Sequence, residues 1–338
     1  MEKLQSMIFR PFCRHPHFKI NQICIDNAGS DLVSNSNQSG FYLYQINEEK
    51  HQSFGILGAI ALNDAADFIY KHEIVNPDKV NAYANEFLKS ATQLTPIMIT
   101  TPNPITLPSF SDSNNSNILY KSHDHKHSLS LIEKNAHSVL SEQLSSINTI
   151  YILDGHHRIS ALQQLKADFA LVMLITEQHI NVGVMSRQLI FRHPRDKKKF
   201  LDAIMDHRLF NTSFFDGYVY NTEDHSIILS SFEGSFLMRS IKPKSNFILH
   251  TYVDNFISQH RHIIDKVEWF HQEDERCSSY YSGLHKNSVL IQLPAISYDQ
   301  CSELFSQNKK VGLHTTCFYP KPKDGFLKFN LLEDGDRL

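Results

Sequence analysis

Hydrophobic and polar positions along the chain alternate between strand-like and helix-like spacing, and the clearest instance lies at its middle. Apolar, β-prone residues run from Ile150 to Leu153, break at Asp154-Gly155, and resume at helical spacing with Ile159, Leu162 and Leu165. Asp168 to Ile175 follows as a buried strand, so the stretch predicts a β-turn-α-β unit. Upstream, Phe41 to Ile46 and Ser53 to Leu62 read as two strands joined by the charged turn Asn47 to His51. A short helix is expected from Asp64 to Tyr70. Asn76 as N-cap with Pro77 at the first helical position signals a longer one, and Val80, Ala84, Phe87, Leu88 and Ala91 fall on its single apolar face. A strand from Leu94 to Ile99 and a helix from Leu129 to Leu144 complete this half.

Beyond residue 180 the spacing changes less regularly. Val184 to His193 predicts a strand ending at Pro194, and Asp196 opens a charged helix whose lysine run, Lys197 to Lys199, reads as a solvated face. Short strands with turns at Asp216-Gly217 and Glu233-Gly234 fill Phe214 to Leu237. A helix over Tyr252 to Ile264, strands over Val267 to Phe270 and Ser288 to Leu293, and a helix over Tyr298 to Gln307 lead into a Pro-kinked tail and a last strand. Residues 31–40 and 111–117 are loop-like. No period typical of solenoids recurs.

Composition narrows the class. A chain of 338 residues, 41% hydrophobic and 20% charged, has the makeup of a soluble globular protein of one large or two ordinary domains. A formal net charge of −3 leaves no basic stripe for a phosphate backbone, which argues against nucleic acid as a partner. Five cysteines form no CxxC pair and fit reduced thiols in a cytoplasmic compartment. With no signal-peptide core and no run near the roughly 18 apolar residues of a span, no membrane association is expected.

The turn carries the candidate chemistry. A strand that hands over to a helix at Gly155 aims backbone N–H groups, and the positive end of the helix dipole, at whatever lies above it. Arg158 adds a planar fork of donors suited to phosphate or carboxylate. Asp154 is a candidate cap and Gly155 suits the turn. The structural alternative is a capped turn with Arg158 in an ion pair and His156 and His157 bonded to nearby carbonyls. Glu73, just ahead of the Pro77 helix, is placed to take a proton from a bound hydroxyl, or is merely solvated. His123, His125 and His127 alternate as chelating residues would if extended, although an exposed loop accounts for them equally. His156 and His157 are adjacent on a helix and point about 100° apart, so they do not share one ion.

Three segments resemble the bacterial family labelled Domain of Unknown Function ten-fifteen: Gly55 to Gly58 through His72-Glu73 and Pro96-Ile97; Tyr151 to Ala161 with its DGHHR turn; and Phe318 to Pro322 (FYPKP) with Gly325. The central half also resembles the ParB/sulfiredoxin-like fold, and within it the free serine kinases of SerK type, which carry a His-Glu before a helix, a Pro-Ile strand and an Asp-Gly-His-x-Arg turn. Three departures stand out. The family's Pro-Tyr-Asp-Val segment is missing, Ala82 and Tyr83 replace an Asp-Arg pair, and His314 replaces a tail Lys. Sulfiredoxins have Cys where this chain has His156, and ParB proteins have Glu-Arg-Arg in place of His156 to Arg158.

The resemblance implies an α+β fold: an N-terminal sheet extension (1–52), a ParB/sulfiredoxin-like nucleotide-binding core (53–180) and a C-terminal α+β region (181–338). It implies phosphoryl transfer from ATP or ADP, with Mg²⁺, to a small free hydroxyl compound, serine-like in class. Glu73 would match the base, Asp154 the acidic residue near metal and substrate, with His156 beside them as a catalytic candidate. Gly155, His156, His157 and Arg158 would hold the nucleotide phosphates. A nucleotide-binding regulator without turnover is the alternative, and a metal-assisted hydrolase built on the histidines a third. Nucleotide, a small-molecule substrate and a second copy of the chain are the expected partners.

Overall fold

The computed structural model describes residues 9–10, 42–47, 52–62, 66–107, 118–121, 126–132, 134–183, 185–215, 225–242, 246–271, 286–307, 316–325, 327 and 329–331. It divides into two compact units, Met1–Asn181 with Pro320–Leu338, and Val182–Tyr319. The fold is mixed α+β, with six α-helices among the described residues. The described residues from 320 on thus group with the first unit, whereas the resemblance implies one C-terminal region over 181–338.

Among the described residues, ten strands of the first unit precede residue 181. These are β1 (Phe9–Arg10), β2 (Tyr42–Asn47), β3 (Gln52–Ala61), β4 (Ile69–Lys71), β5 (Thr92–Gln93), β6 (Ile97–Thr100), β7 (Ile118–Lys121), β8 (His127–Leu131), β9 (Ile150–Asp154) and β10 (Phe169–Ile175). Nine form one sheet in the order β4-β9-β6-β10-β3-β2-β8-β7, with β1 also on β3. The residues 42–47 therefore belong to the same sheet as the core strands. Pairing is antiparallel except for two pairs, β4 with β9 and β6 with β10. The central strands read as unbroken apolar runs because Ile97 to Ile99, Ile152 and Val172 to Ile175 are buried throughout.

Two helices bear on the site. Helix α1 (Pro77–Ser90) starts at Asn76, whose side chain accepts from the Asp78 N–H, and buries Val80, Ala84 and Phe87. Helix α2 is Lys134–Ser145, and α3 (His156–Gln164) buries Ile159, Ala161 and Leu162 completely. Burying a side chain such as Leu162 stabilises by roughly 1.5–3 kcal/mol, so Leu162→Ala would loosen α3 from the sheet.

The second unit holds β11 (Asn181–Gly183) at its start, then β12 (Met185–Phe191), β13 (Phe210–Phe215), β14 (Ser226–Ser231), β15 (Gly234–Ser240), β16 (Ile264–His271), β17 (Ser288–Gln292) and β18 (Cys317–Tyr319); β19 (Phe329–Asn330) returns to pair with β5 of the first. Six strands make an antiparallel sheet, β13-β15-β14-β17-β12-β16. Helices α4 (Pro194–Met205) and α5 (Asn246–Gln259) contribute Phe200, Ile204, Leu249 and Val253 to one core with Leu189, Leu229 and Ile291 of the sheet. Helix α6 (Tyr298–Ser306) opens with a capping box between Ser297 and Gln300. No helix among the described residues is long and apolar enough to cross a membrane.

Three local expectations are corrected. Within the helix expected over Asp64 to Tyr70, Ala66–Phe68 is a single 3₁₀ turn and Ile69–Lys71 is β4, because the β-prone pair Ile69-Tyr70 finds a partner in β9. Leu129 lies in a strand, not a helix: His-Ser-Leu-Ser-Leu alternates with period two and pairs with β2, so the helix starts only at Lys134. The lysine run on α4 is not wholly solvated, since Lys197 is buried and its Nζ donates to both Glu233 carboxylate oxygens at 2.7 and 2.8 Å. The loops at 31–40 and 111–117, the Asp216-Gly217 turn and His314 lie outside the described residues.

Candidate functional site

Parallel pairing of β4 with β9 brings two strand ends to one edge of the sheet. Beyond β4 come His72 and Glu73; beyond β9 come Gly155 and α3. On the other side of β9, β6 shifts register between Met98 and Ile99, opposite Asp154. A bulge there ends the ladder and re-aims the chain at the place where the turn begins. Gly155 takes φ +97°, a left-handed conformation, and a Cβ on it would stand 3.1 Å from both Ile97 Cγ1 and Arg158 Nη2. Only glycine suits that position. The first bond within α3 runs from the Ile159 N–H to the Gly155 carbonyl at 2.9 Å. The amides of His156, His157 and Arg158 therefore precede the helical ladder and point out of its positive end.

Asp154 does not cap α3; no side chain does. Its carboxylate lies between two cations instead. Arg158 Nη2 donates to Oδ2 at 2.7 Å, and Lys321 Nζ donates to Oδ1 at 2.5 Å. Burial disfavours the charge on Asp154, but Lys321 and Arg158 together outweigh it and hold the carboxyl below its usual value. Two further donors of Arg158 go to the chain: Nη1 reaches the Thr95 carbonyl at 2.7 Å and that of Pro96 at 3.0 Å. Thr95 Oγ1 in turn donates to the Asp324 carboxylate, three residues after Lys321. Turn and tail are thus joined in one closed circuit of polar contacts.

The tail is fixed at further points. Lys323 donates its N–H to the hydroxyl of the buried Tyr44 at 3.1 Å, and that oxygen lies 3.1 Å from Nδ1 of His127. Strand β19 pairs with β5, and the Leu331 N–H reaches the Ala91 carbonyl at 2.9 Å. Gln93 braces β5 from within by bonding the carbonyls of Thr95 and Leu171 at 2.9 and 2.8 Å.

The two histidines of the turn diverge. His156 is buried, its Nε2 3.2 Å from Nδ1 of His72 and its Nδ1 3.7 Å from Glu73 Oε2. Burial holds both rings neutral: it brings His72 down to about 4, and His156 falls well below its usual value, with the neighbouring His72, His157, Lys71 and Lys321 adding to the effect. His157 accepts the Asn76 N–H on Nε2 at 3.0 Å, so its neutral ring carries the proton on Nδ1 and ties α3 to the start of α1. Lys71 Nζ bonds Ser160 Oγ at 3.1 Å and Gln163 Oε1 at 2.9 Å.

These contacts sort the expected site residues. Glu73, Asp154, Gly155, His156 and Arg158 converge on one sheet edge. His156 is buried against Glu73 and His72, and the His157 side chain accepts the Asn76 N–H at the start of α1. Asp154, expected to hold Mg²⁺, already has a cation on each oxygen. His127 is buried in β8 against Tyr44, and His123 and His125 lie outside the described residues, so no chelating loop is described. No cluster of three His, Cys, Asp or Glu suited to a metal ion occurs among the described residues. From the sequence Lys321 is a proline-flanked lysine that either reaches a phosphate or is merely solvated; the structure places its Nζ on Asp154.

A family model described as protein of unknown function (DUF1015) matches residues 28–262. The chain belongs to this DUF1015 family. The match spans Glu73 and the Asp154 to Arg158 turn and stops short of Lys321. No curated protein matches the chain. Among solved structures, SbnI with C-terminal truncation from Staphylococcus aureus is similar at TM-score 0.51 and 15% identity, covering 83% of this chain and 90% of that one. A free serine kinase variant in complex with AMP gives TM-score 0.49 at 13% identity over 82% of this chain and 94% of its own. A conserved hypothetical protein from Pyrococcus furiosus gives 0.47 and 13% over 79% and 93%. At such identities the likeness to SbnI concerns the fold of this DUF1015 member alone.

Proposed function

We propose that the chain transfers a phosphoryl group from a nucleotide, ATP or ADP, to a small free hydroxyl compound of serine-like class, on a core of ParB/sulfiredoxin-like fold. One observation carries the reading: a carboxylate, Glu73, shares a sheet edge with a helix start where Asp154, Arg158 and Lys321 meet. Phosphoryl transfer depends mainly on positioning and charge, and a sparse site suffices for it. Glu73 orients the acceptor hydroxyl and takes its proton. His156, held neutral by burial, packs beside Glu73, its Nδ1 3.7 Å from the carboxylate. The α3 amides receive the anion, and Arg158 shapes the turn by tying Asp154 to Thr95 and Pro96.

The donor set does not fit a resident metal centre. Magnesium needs near-octahedral oxygen ligands and keeps several waters, whereas Asp154, the carboxylate expected to hold it, already carries a cation on each oxygen. The steps above are therefore carried by the chain's own groups.

The same closed circuit favours a second reading, a nucleotide-binding regulator that turns nothing over. A nucleotide-consumption screen over free amino acids and small alcohols separates the two. Turnover that drops about 10²–10⁴-fold on Glu73→Ala supports the kinase. Turnover that survives both Glu73→Ala and Asp154→Ala discards it, and calorimetric binding with no product under any acceptor supports the regulator.

A further inference from the structure

We infer that Lys321 is the residue through which the chain grips the bound phosphate group, with Asp154 holding its ammonium in place until the anion arrives. The inference rests on the phosphoryl-transfer reading of the turn and adds the residue that makes direct contact. Charge counting supplies the first argument. Glu73, Asp154 and Arg158 alone sum to one negative charge at the mouth of the turn, which would repel a phosphate. Lys321 brings the sum to zero, and the positive end of α3 then tips the site toward an anion.

Donor availability supplies the second. Arg158 was the natural candidate for the phosphate fork, yet its Nη1 serves two backbone carbonyls and its Nη2 serves Asp154. Its side chain is 12% exposed, against 50% for Lys321. An ammonium carries three donors on a four-carbon stem, so it can add an incoming oxygen to its contacts.

Delivery supplies the third. Pro320 and Pro322 are buried on either side of Lys321, and proline locks φ. Tyr44 holds the Lys323 N–H, Thr95 holds Asp324, and β19 is zipped to β5. The tail is a built-in strap that presents one lysine at a fixed place.

The test is isothermal titration of the full chain with inorganic pyrophosphate and, separately, with ADP. Lys321→Met is expected to bind both about 10–100-fold more weakly and with a shallower salt dependence. Lys321→Arg is expected to recover most of the affinity. A Lys321→Met variant that melts like the parent and binds pyrophosphate equally well overturns the inference and leaves the kinase reading standing. Parent protein that binds pyrophosphate but turns over no acceptor removes that reading and leaves Lys321 in its role. Parent that binds neither probe ends both. A second measurement needs no variant: acylation of Lys321 Nζ by acetic anhydride, followed by peptide mass, should slow when pyrophosphate is present, and an unchanged rate refutes the contact.

Discussion

Each unit contains an arginine paired with an aspartate, and the two pairs serve different ends. In the second unit Arg187 stands mid-strand in β12, fully buried; Nε and Nη2 reach the two oxygens of Asp254 on α5 at 2.7 and 3.1 Å, and Nη1 reaches the Met185 carbonyl at 3.0 Å. In the first unit Arg158 makes nearly the same set of bonds, but its aspartate sits at a strand end, ahead of a helix start, and holds a second, half-exposed cation. An ion pair inside an element closes a core. The same pair at the mouth of a helix, with a half-exposed lysine on the second carboxylate oxygen, is the place we propose for a ligand.

A first substitution separates the pairs by stability. Arg187→Met takes the buried member from the pair and leaves Asp254 partly exposed to water, so the cost is below the roughly 3–5 kcal/mol of a fully buried pair, on the order of 2 kcal/mol. Urea unfolding should show that loss, while pyrophosphate titration of the folded variant stays at parent affinity. A folded Arg187→Met protein that no longer binds the anion would erase the distinction between the two pairs.

Acid is the next lever. Burial pushes His250 of the second unit down to about 3 and His72 of the first down to about 4. In each case the folded value lies below the unfolded one near 6.5, so the unfolded chain binds the proton first. Stability is then complete above pH 6.5 and declines as pH falls toward 4 for His72 and toward 3 for His250, by on the order of 3 kcal/mol for His72. Asp154, whose value is lowered, adds stability that stays intact through this window and disappears only as pH drops below the usual carboxylate range. Unfolding midpoints measured from pH 7 to 4 check the sign. A His72→Phe variant should flatten the slope, and one with an unchanged slope would refute the assignment.

What the sequence made legible follows from range. The strand, turn and helix around Gly155 could be read because apolar spacing and a glycine act within a few residues, and so could the Asn76-Pro77 helix start. Contacts made across the fold could not. Lys321 meets Asp154 across 167 positions and His156 meets His72 across 84, and no local pattern encodes either. Strand β4 was mistaken for helix because three residues are too few to show a period; only its partner β9 defines it. A lysine run gives no sign of which member has a carboxylate waiting, here Glu233 for Lys197.

A matched pair of glycines sharpens the comparison at smaller cost. Gly155 has φ +97° and Gly234, in the β14–β15 turn, has φ +134°, where a Cβ would stand 2.8 Å from the Phe214 ring. Alanine at either is expected to destabilise by about 1–3 kcal/mol, measured by thermal or urea unfolding. Gly155→Ala should also weaken pyrophosphate binding, since the added carbon presses on Arg158 Nη2 and tilts the amides, while Gly234→Ala should leave binding unchanged. Equal effects on binding would mean that the turn geometry has no bearing on the ligand.

The smallest effect tests the strap itself. Tyr44→Phe removes one hydroxyl, which accepts from the Lys323 N–H and lies beside His127, and leaves ring and sheet as they were. A neutral hydrogen bond of this kind is worth about 1 kcal/mol, so the unfolding midpoint should shift only slightly. Lys321 lies two residues away, between two buried prolines, and slack at residue 323 reaches it as looser positioning with no loss of charge. Pyrophosphate affinity should therefore fall by a factor well below that of Lys321→Met, with the salt dependence unchanged because the number of cations is the same. An affinity loss as large as that of Lys321→Met would show that position, and not charge, decides the grip. No loss at all would show that the prolines and β19 hold the strap without Tyr44.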